Sequence, residues 1–162
     1  MPVQTEVKTE TGCCPKFDPQ PWEGKEINWQ NKLFIKDSVR SFVHIPLNFG
    51  GVVKRNMKKI KAAGAVVPQW LMLSDEKSLW SSDLYIAVDN EVPGTKIEKM
   101  SGKFLTKVFA GPYRDAGKWA KEMQTYVQSK DKEIKKMYFW YTTCPKCAKV
   151  YGKNYTVIFA MV

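Results

Sequence analysis

The chain has 162 residues, of which 44% are hydrophobic and 13% aromatic, and its formal net charge is +10. This composition excludes a disordered chain, and the length suits one domain with its own core or two small repeats. No apolar run approaches the ~20 residues of a membrane-spanning helix. The N-terminal stretch MPVQTEVKTETG lacks the apolar segment of a signal peptide. We therefore expect a cytoplasmic globular protein without a membrane partner.

The first twenty residues predict a flexible or loosely attached tail, and a single domain is predicted over residues 21–162. A stretch rich in proline and tryptophan, FDPQPWEGKEINWQ, follows the tail and is expected to be a loop. We expect Trp22 and Trp29 to hold this loop against the body of the domain.

The first half of the domain, about residues 33–90, predicts the order strand, helix, strand, strand. One or two strands are expected from Leu33 to Ile45, and the segment VVKRNMKKIKAAGA then predicts a helix. Val53, Met57 and Ile60 share one face of that helix. Two short strands are expected at residues 70–73 and 83–89.

The second half, about residues 96–162, predicts the same order. A strand is expected from Ile97 to Phe109, with a bulge or bend at Ser101-Gly102. A helix is expected over residues 114–129, with an apolar face that includes Trp119, Met123 and Val127 at steps of three and four. Two more strands are predicted at 137–142 and 155–162. Two β-α-β-β repeats are thus expected to join their strands into one curved antiparallel sheet that both helices cover, an α+β fold.

The duplicated order and the triplet Gly111-Pro112-Tyr113 at the start of the second helix resemble the GyrI-like small-molecule-binding family. This family is the effector-binding domain of some multidrug-sensing regulators and has SHS2-like repeats. The resemblance spans about Leu33 to Val162, and without a helix-turn-helix segment it implies a stand-alone member. It implies a small hydrophobic or aromatic ligand as the partner. Because some stand-alone members hydrolyse electrophilic natural products, it also implies a candidate hydrolase of a reactive xenobiotic.

Aromatic side chains are the candidate ligand-binding residues. A groove with tyrosine and tryptophan on its walls suits a flat apolar ligand, because rings stack while their polar tips orient the guest. The alternative is that the same rings form an ordinary core. The predicted ligand-binding set is Trp70, Trp80, Tyr85, Tyr113, Trp119, Tyr138, Trp140 and Tyr141.

Glu122 is the candidate catalytic residue. It falls near the edge of the apolar face of the second helix, where partial burial would raise the pKa of its carboxyl and suit acid or base work. The alternative is a surface glutamate that pairs with Lys118. His44 is the only histidine, so spacing alone does not indicate a catalytic triad. Asp75 and Glu76 are expected in a solvated loop.

The four cysteines leave three interpretations open. Cys144 and Cys147 have the spacing of a zinc knuckle, and Cys13 and Cys14 could complete a structural zinc site. Free structural thiols form the second interpretation, and a redox pair or disulfide the third. No cofactor is required by the predicted function.

A second function class rests on the positive charge. A zinc-stabilised interaction module could use a basic face, dense at Lys54, Arg55 and Lys58, for nucleic acid or an acidic partner. The same lysines also fit the solvated face of a helix. Because the sequence has neither a recognition helix nor an aromatic-basic RNA motif, a nucleic-acid partner is not favoured. The ligand, the oligomeric state and the presence of catalysis stay open.

Overall fold

Among the described residues, strands clearly outnumber helices. The computed structural model describes residues 18–42, 45–46, 49–76, 81–111, 115–142 and 155–162, except the side chains of 41, 42, 45, 46, 49, 50, 69 and 76. The elements in chain order are β1 (Lys25–Phe42), β2 (Ile45–Pro46), α1 (Phe49–Ala62), a 3₁₀ turn (Pro68–Trp70), β3 (Met72–Glu76), β4 (Ser81–Ala87), β5 (Lys96–Ala110), α2 (Ala116–Ser129), β6 (Lys136–Tyr141) and β7 (Tyr155–Met161).

Six of the strands close into an antiparallel barrel. Their order is β1-β4-β3-β6-β7-β5, and β5 returns to pair with β1, with Ile35 opposite Ile97 and Glu26 opposite Leu105. The two residues of β2 pair only with the end of β1. The prediction of an α+β fold with one curved antiparallel sheet covered by two helices is therefore wrong, because the sheet closes on itself into a barrel.

Closure follows from strands that are apolar on both faces. Phe34 packs in the core inside the barrel, whereas its neighbour Ile35 packs in the core beneath α1. Tyr85 likewise faces inward, between Leu84 and Ile86, which face outward. A sheet with two apolar faces must cover both, and here closure covers the inner face while the helices cover the outer one.

Each helix packs its apolar face against the outside of the barrel. In α1, Val52 and Ile60 are buried against the outer faces of β1 and β4. In α2, the buried residues are Trp119, Met123 and Val127, as its three- and four-residue spacing predicts. Over the described part of the chain, neither helix combines the length and the apolar character needed to cross a membrane.

Aromatic side chains fill the barrel. The inner core consists of Trp22, Phe34, Leu71, Leu73, Tyr85, Ala87, Met100, Phe104, Tyr138, Trp140, Val157 and Phe159. Trp22 caps one end, with its ring centroid 5.1 Å from that of Trp140. The hydroxyl of Thr106 donates a hydrogen bond of 2.6 Å to the carbonyl oxygen of Trp22 and holds that cap in place.

The stretch expected as a tryptophan-rich loop is partly a strand. β1 already begins at Lys25, and Trp29 stacks on Phe159 with ring centroids 5.4 Å apart. Both tryptophans hold the segment to the body, as predicted, but from within the barrel core. The prediction failed here because long-range pairing with β5 outweighs the weak local preference of a polar, proline-containing sequence.

A β-bulge interrupts the pairing of β1 with β5. Trp29 lies opposite Gly102 and Lys32 opposite Met100, so β1 contains one extra residue between the two pairs. Asn31 has a φ of 53°, and its N–H donates a hydrogen bond of 2.8 Å to Ser101 Oγ. The irregularity predicted at Ser101-Gly102 is therefore present, with the extra residue on the opposite strand.

Candidate functional site

Charged and phenolic side chains gather at one end of the barrel interior. This end lies where β3 finishes and where β4, β5 and β6 start, away from the Trp22 cap. Strand alternation turns each of these side chains inward, because each stands two residues from a residue of the inner core. The residues are Lys36, Asp75, Asp83, Tyr85, Glu98, Lys136 and Tyr138, and together they are termed the polar mouth.

Two carboxylates face each other at the centre of the polar mouth. Asp75 on β3 lies directly opposite Asp83 on β4, and the two residues are only 8% and 6% exposed. Like charges in this position repel. The repulsion is offset by Lys136, whose Nζ lies 2.8 Å from Asp75 Oδ2, and by Lys36, whose Nζ lies 3.6 Å from Asp83 Oδ2.

Each lysine also lies over a tyrosine ring. Lys36 Nζ is 5.7 Å from the ring centroid of Tyr85, and Lys136 Nζ is 5.5 Å from that of Tyr138. The two rings meet edge to face with centroids 5.8 Å apart. The polar mouth therefore consists of two Lys-Tyr-Asp groups that meet at the tyrosines. Glu98 joins the first group, with its Oε1 3.4 Å from Lys36 Nζ.

Burial and neighbouring charges fix the protonation states in the polar mouth. The electrostatic interaction with Tyr85, followed by those with Glu98 and Asp83, raises the pKa of Lys36 against the opposing effect of burial. The hydrogen bond with Asp75 raises the pKa of Lys136. Burial raises the pKa of Tyr138. At neutral pH both lysines are therefore cations, and Tyr138 is a neutral phenol that can donate a hydrogen bond.

The structure divides the predicted ligand-binding set among three places. Tyr85, Tyr138 and Trp140 are buried in the inner core, and the two tyrosines belong to the polar mouth. Trp119 and Tyr141 lie on the outside of the barrel in the core beneath α2.

Trp70 is half-buried in the 3₁₀ turn and packs in the core beneath α1. Trp80 and Tyr113 lie outside the described residues. Of the six predicted rings that the structure describes, three therefore lie together inside the barrel, where the aromatic interior is packed with side chains.

The predicted catalytic and metal-binding residues lie away from the polar mouth or outside the described residues. Glu122 is on α2 with an exposed side chain. The cysteine pairs Cys13-Cys14 and Cys144/Cys147, like His44, fall outside the described residues, so the zinc site stays a prediction. Among the residues that the structure does describe, no group of three or more histidine, cysteine, aspartate or glutamate residues is arranged to hold a metal ion.

Sequence reasoning missed the charged members of the polar mouth. Asp75 was expected in a solvated loop, but it is buried in β3 and bonded to Lys136. A usable signal was present in the alternation, since Asp83 and Tyr85 are two residues apart and so are Lys136 and Tyr138. A charge and a tyrosine at that spacing share one face of a strand.

A shallow depression of about 360 Å³ lies at the other end of the barrel. Its lining residues are Pro19, Gln20, Glu23, Val108, Ala110 and Tyr155. The carboxylate of Glu23 accepts a hydrogen bond of 2.8 Å from the N–H of Val108 and lies 3.4 Å from Lys107 Nζ. Because its acid already joins the cap to β5, the depression offers less acid-base chemistry than the polar mouth.

These features define a closed antiparallel barrel protein with an aromatic interior and ionisable groups gathered at one end. A family model described as "Bacterial hydrolase" matches residues 4–162, and the chain belongs to this bacterial hydrolase family. A search of curated proteins finds no match to the chain. The family description names a hydrolase and not a GyrI-like protein, so the resemblance to GyrI-like domains stays a prediction.

Proposed function

We propose that the chain binds a small electrophilic molecule at the polar mouth and hydrolyses it. The observation that carries this proposal is the joint burial of two carboxylates and two tyrosines beside two ammonium groups at one end of the barrel. Hydrolysis needs a base for water and donors for the oxygen that becomes negative, and this cluster contains both. Membership in a bacterial hydrolase family supports the same reaction class.

The substrate contacts the polar mouth by one end only, because aromatic side chains occupy the space below it. Tyr85 and Tyr138 form the floor, and Phe34 and Phe104 pack against these rings with centroids 6.3 and 6.4 Å away. A flat apolar group can stack on this floor while its electrophilic carbon faces the charged groups. The substrate class that fits is a small, flat, reactive compound, consistent with the xenobiotic that the GyrI-like resemblance implies.

Asp83 is the proposed general base. Its carboxylate takes a proton from water as the water oxygen attacks the electrophilic carbon. Asp83 is assigned this role because Asp75 Oδ2 already accepts the 2.8 Å hydrogen bond from Lys136. Asp75 instead keeps Lys136 charged and in place beside Tyr138.

Tyr138 and Lys136 are the proposed stabilisers of negative charge. The neutral phenol of Tyr138 donates a hydrogen bond to the oxygen that develops charge, and the ammonium of Lys136 beside it adds an electrostatic contribution. Such donors are most effective where burial excludes water, and Tyr138 is buried. The ammonium group of Lys36 lies close to the carboxylates of both Asp83 and Glu98 and offsets the repulsion between them.

Turnover of chromogenic electrophiles tests the proposal. A panel of nitrophenyl esters, an aryl lactone and an aryl epoxide is offered to the wild type and to Asp83→Asn. We expect the substitution to lower kcat/KM on the compound that reacts by about 10²- to 10⁴-fold, the usual contribution of a general base. Glu133→Gln, an exposed carboxylate in the loop before β6, is the matched control and is expected to retain activity.

Glu122→Gln separates the two candidate bases. Because Glu122 is exposed on α2, we expect its substitution to change kcat/KM little. If Glu122→Gln lost activity and Asp83→Asn kept it, the catalytic base would be Glu122 on α2 and not Asp83. Absence of turnover with any compound, together with binding seen by tryptophan fluorescence, would leave a ligand-binding protein without catalysis.

A further inference from the structure

The β-bulge in β1 turns one more lysine toward the inside of the barrel. Before the bulge, the odd-numbered residues Ile27 and Trp29 pack in the inner core. After it, the even-numbered Phe34 does so, while Leu33 packs in the outer core beneath α1. Because strand faces alternate, the extra residue is what places Lys32 on the inner face.

Apolar groups surround Lys32. Its Nζ lies 5.6 Å from the ring centroid of Trp29, its partner across the strands is the buried Met100, and the next inward residue along β1 is Phe34. Lys32 is four residues, or roughly 13 Å of strand, from Lys36 and is therefore separate from the polar mouth.

No carboxylate among the described residues forms an ion pair with Lys32, in contrast to Lys36 and Lys136. The charged groups on the adjacent elements already have other partners. On β5, Glu98 lies 3.4 Å from Lys36 Nζ. After β4, the carboxylate of Asp89 accepts a hydrogen bond of 2.8 Å from the N–H of Val66. Burial without a counter-charge lowers the pKa of Lys32.

The amine keeps a path to solvent. β4 ends at Ala87, opposite Phe34, so Lys32 lies beyond the end of that strand, and its residue is half-buried. A lysine of this kind has a larger neutral fraction at neutral pH than an exposed one, and the neutral amine is the nucleophile. The indole of Trp29 supplies a flat surface beside it.

We propose that Lys32 is a covalent binding site for small aromatic aldehydes, with the indole of Trp29 as the surface on which the ring of the aldehyde rests. The lone pair of Nζ attacks the aldehyde carbon, and the carbonyl oxygen takes up a proton to give a carbinolamine. Loss of water then leaves a C=N bond between Nζ and the former carbonyl carbon. Amine and aldehyde thus become imine and water, with no change in oxidation state.

Reductive trapping in the intact protein tests this site. The protein is incubated with pyridine-4-carboxaldehyde and cyanoborohydride at about pH 7, and the labelled lysines are located by peptide mass spectrometry. Lys25 on β1 and Lys99 on β5 are exposed and serve as internal controls. We expect Lys32 to be labelled several-fold faster than either control. Labelling of Lys32 at or below the rate of Lys25 and Lys99 would overturn the proposal.

Two further measurements test whether Lys32 is the labelled residue and whether its lowered pKa causes the faster labelling. The excess labelling of Lys32 should disappear near pH 10.5, the ordinary lysine value, because the exposed amines are then deprotonated as well. An excess that stays constant across this pH range would contradict a desolvated amine. Lys32→Arg keeps the positive charge but cannot form the imine, so total labelling at about pH 7 should fall by the share assigned to Lys32. No fall would show that the assignment is wrong.

Discussion

Two buried carboxylates in the barrel depend on individual lysine residues for their stability. Asp75 and Asp83 lie opposite each other on adjacent strands, an arrangement that is stable only because two lysines reach them from other strands. A charged residue inside a barrel is costly unless it is paired. In the polar mouth, each buried carboxylate is paired with a lysine from another strand. Because the residues of the polar mouth come from five strands, no single short motif in the sequence contains them all.

Asp37 is the residue that attaches α1 to β1. Its Oδ2 accepts hydrogen bonds from Arg55 Nη2 at 2.7 Å and from the buried Asn56 Nδ2 at 2.8 Å, and its Oδ1 accepts one from the N–H of Ser38 at 2.8 Å. Burial alone would raise the pKa of Asp37, but these hydrogen bonds and the charge of Arg55 lower it below 3.8.

The direction of this pKa shift predicts an acid-sensitive contact. A carboxyl with a depressed pKa in the folded state contributes stability above its unfolded pKa, and that contribution is lost as the pH falls through the folded value. We expect Asp37→Asn to lower the free energy of unfolding by about 1–3 kcal/mol at neutral pH. The deficit should shrink as the pH falls below about 4 and through the depressed pKa of folded Asp37. Urea unfolding at several pH values measures it, with Glu133→Gln as an exposed control. A deficit that is independent of pH would contradict this role.

At the scale of elements, the amphipathic helices were the most predictable part of the chain. The three- and four-residue spacing of Trp119, Met123 and Val127 identified both α2 and its buried face. The strands from β4 onward were also found close to their observed positions, whereas β3 was predicted two residues too early and its end was predicted to be a loop. Helix periodicity can be recognised within a short stretch of sequence. The start of β1, in contrast, depends on pairing with β5 about eighty residues further along the chain.

Met123 tests the packing of α2 on the barrel. It is 0% exposed and belongs to the core that also contains Leu105, Phe139 and Ile158. We expect Met123→Ala to cost about 2–5 kcal/mol of unfolding free energy, because it removes buried apolar contact and leaves a cavity. Gln124→Ala, at the adjacent exposed position, should change stability by less than about 0.5 kcal/mol. Chemical denaturation of the two variants measures the difference, and equal effects would show that α2 does not pack as described.

At the scale of the whole molecule, closure of the sheet was the feature that sequence did not predict. The order strand, helix, strand, strand in each half was read correctly, but an open sheet and a closed barrel share that order. The difference lies in the pairing of β1 with β5 and in the fact that both faces of the strands are apolar. Continuous apolar runs such as the MYFWY of β6 and the TVIFAM of β7 were the available signal.

Closure also relocates the site. In place of the predicted aromatic groove, the barrel has a packed aromatic interior, and the ionisable groups gather at one end of it. Tyr85 and Tyr138 were found from sequence as aromatic candidates. Their partners Lys36, Asp83 and Lys136 were not, because a charged residue in a strand is read by default as solvent-facing.

The most direct test of the polar mouth as the site is chemical-shift mapping. Labelled Asp83→Asn protein, in which turnover is expected to be slow, is titrated with phenyl acetate, and backbone amide resonances are followed. We expect the shifts to be concentrated at position 83 and at Lys36, Asp75, Tyr85 and Tyr138. Shifts concentrated around the depression at Glu23, Val108 and Tyr155, or around Glu122 on α2, would contradict it.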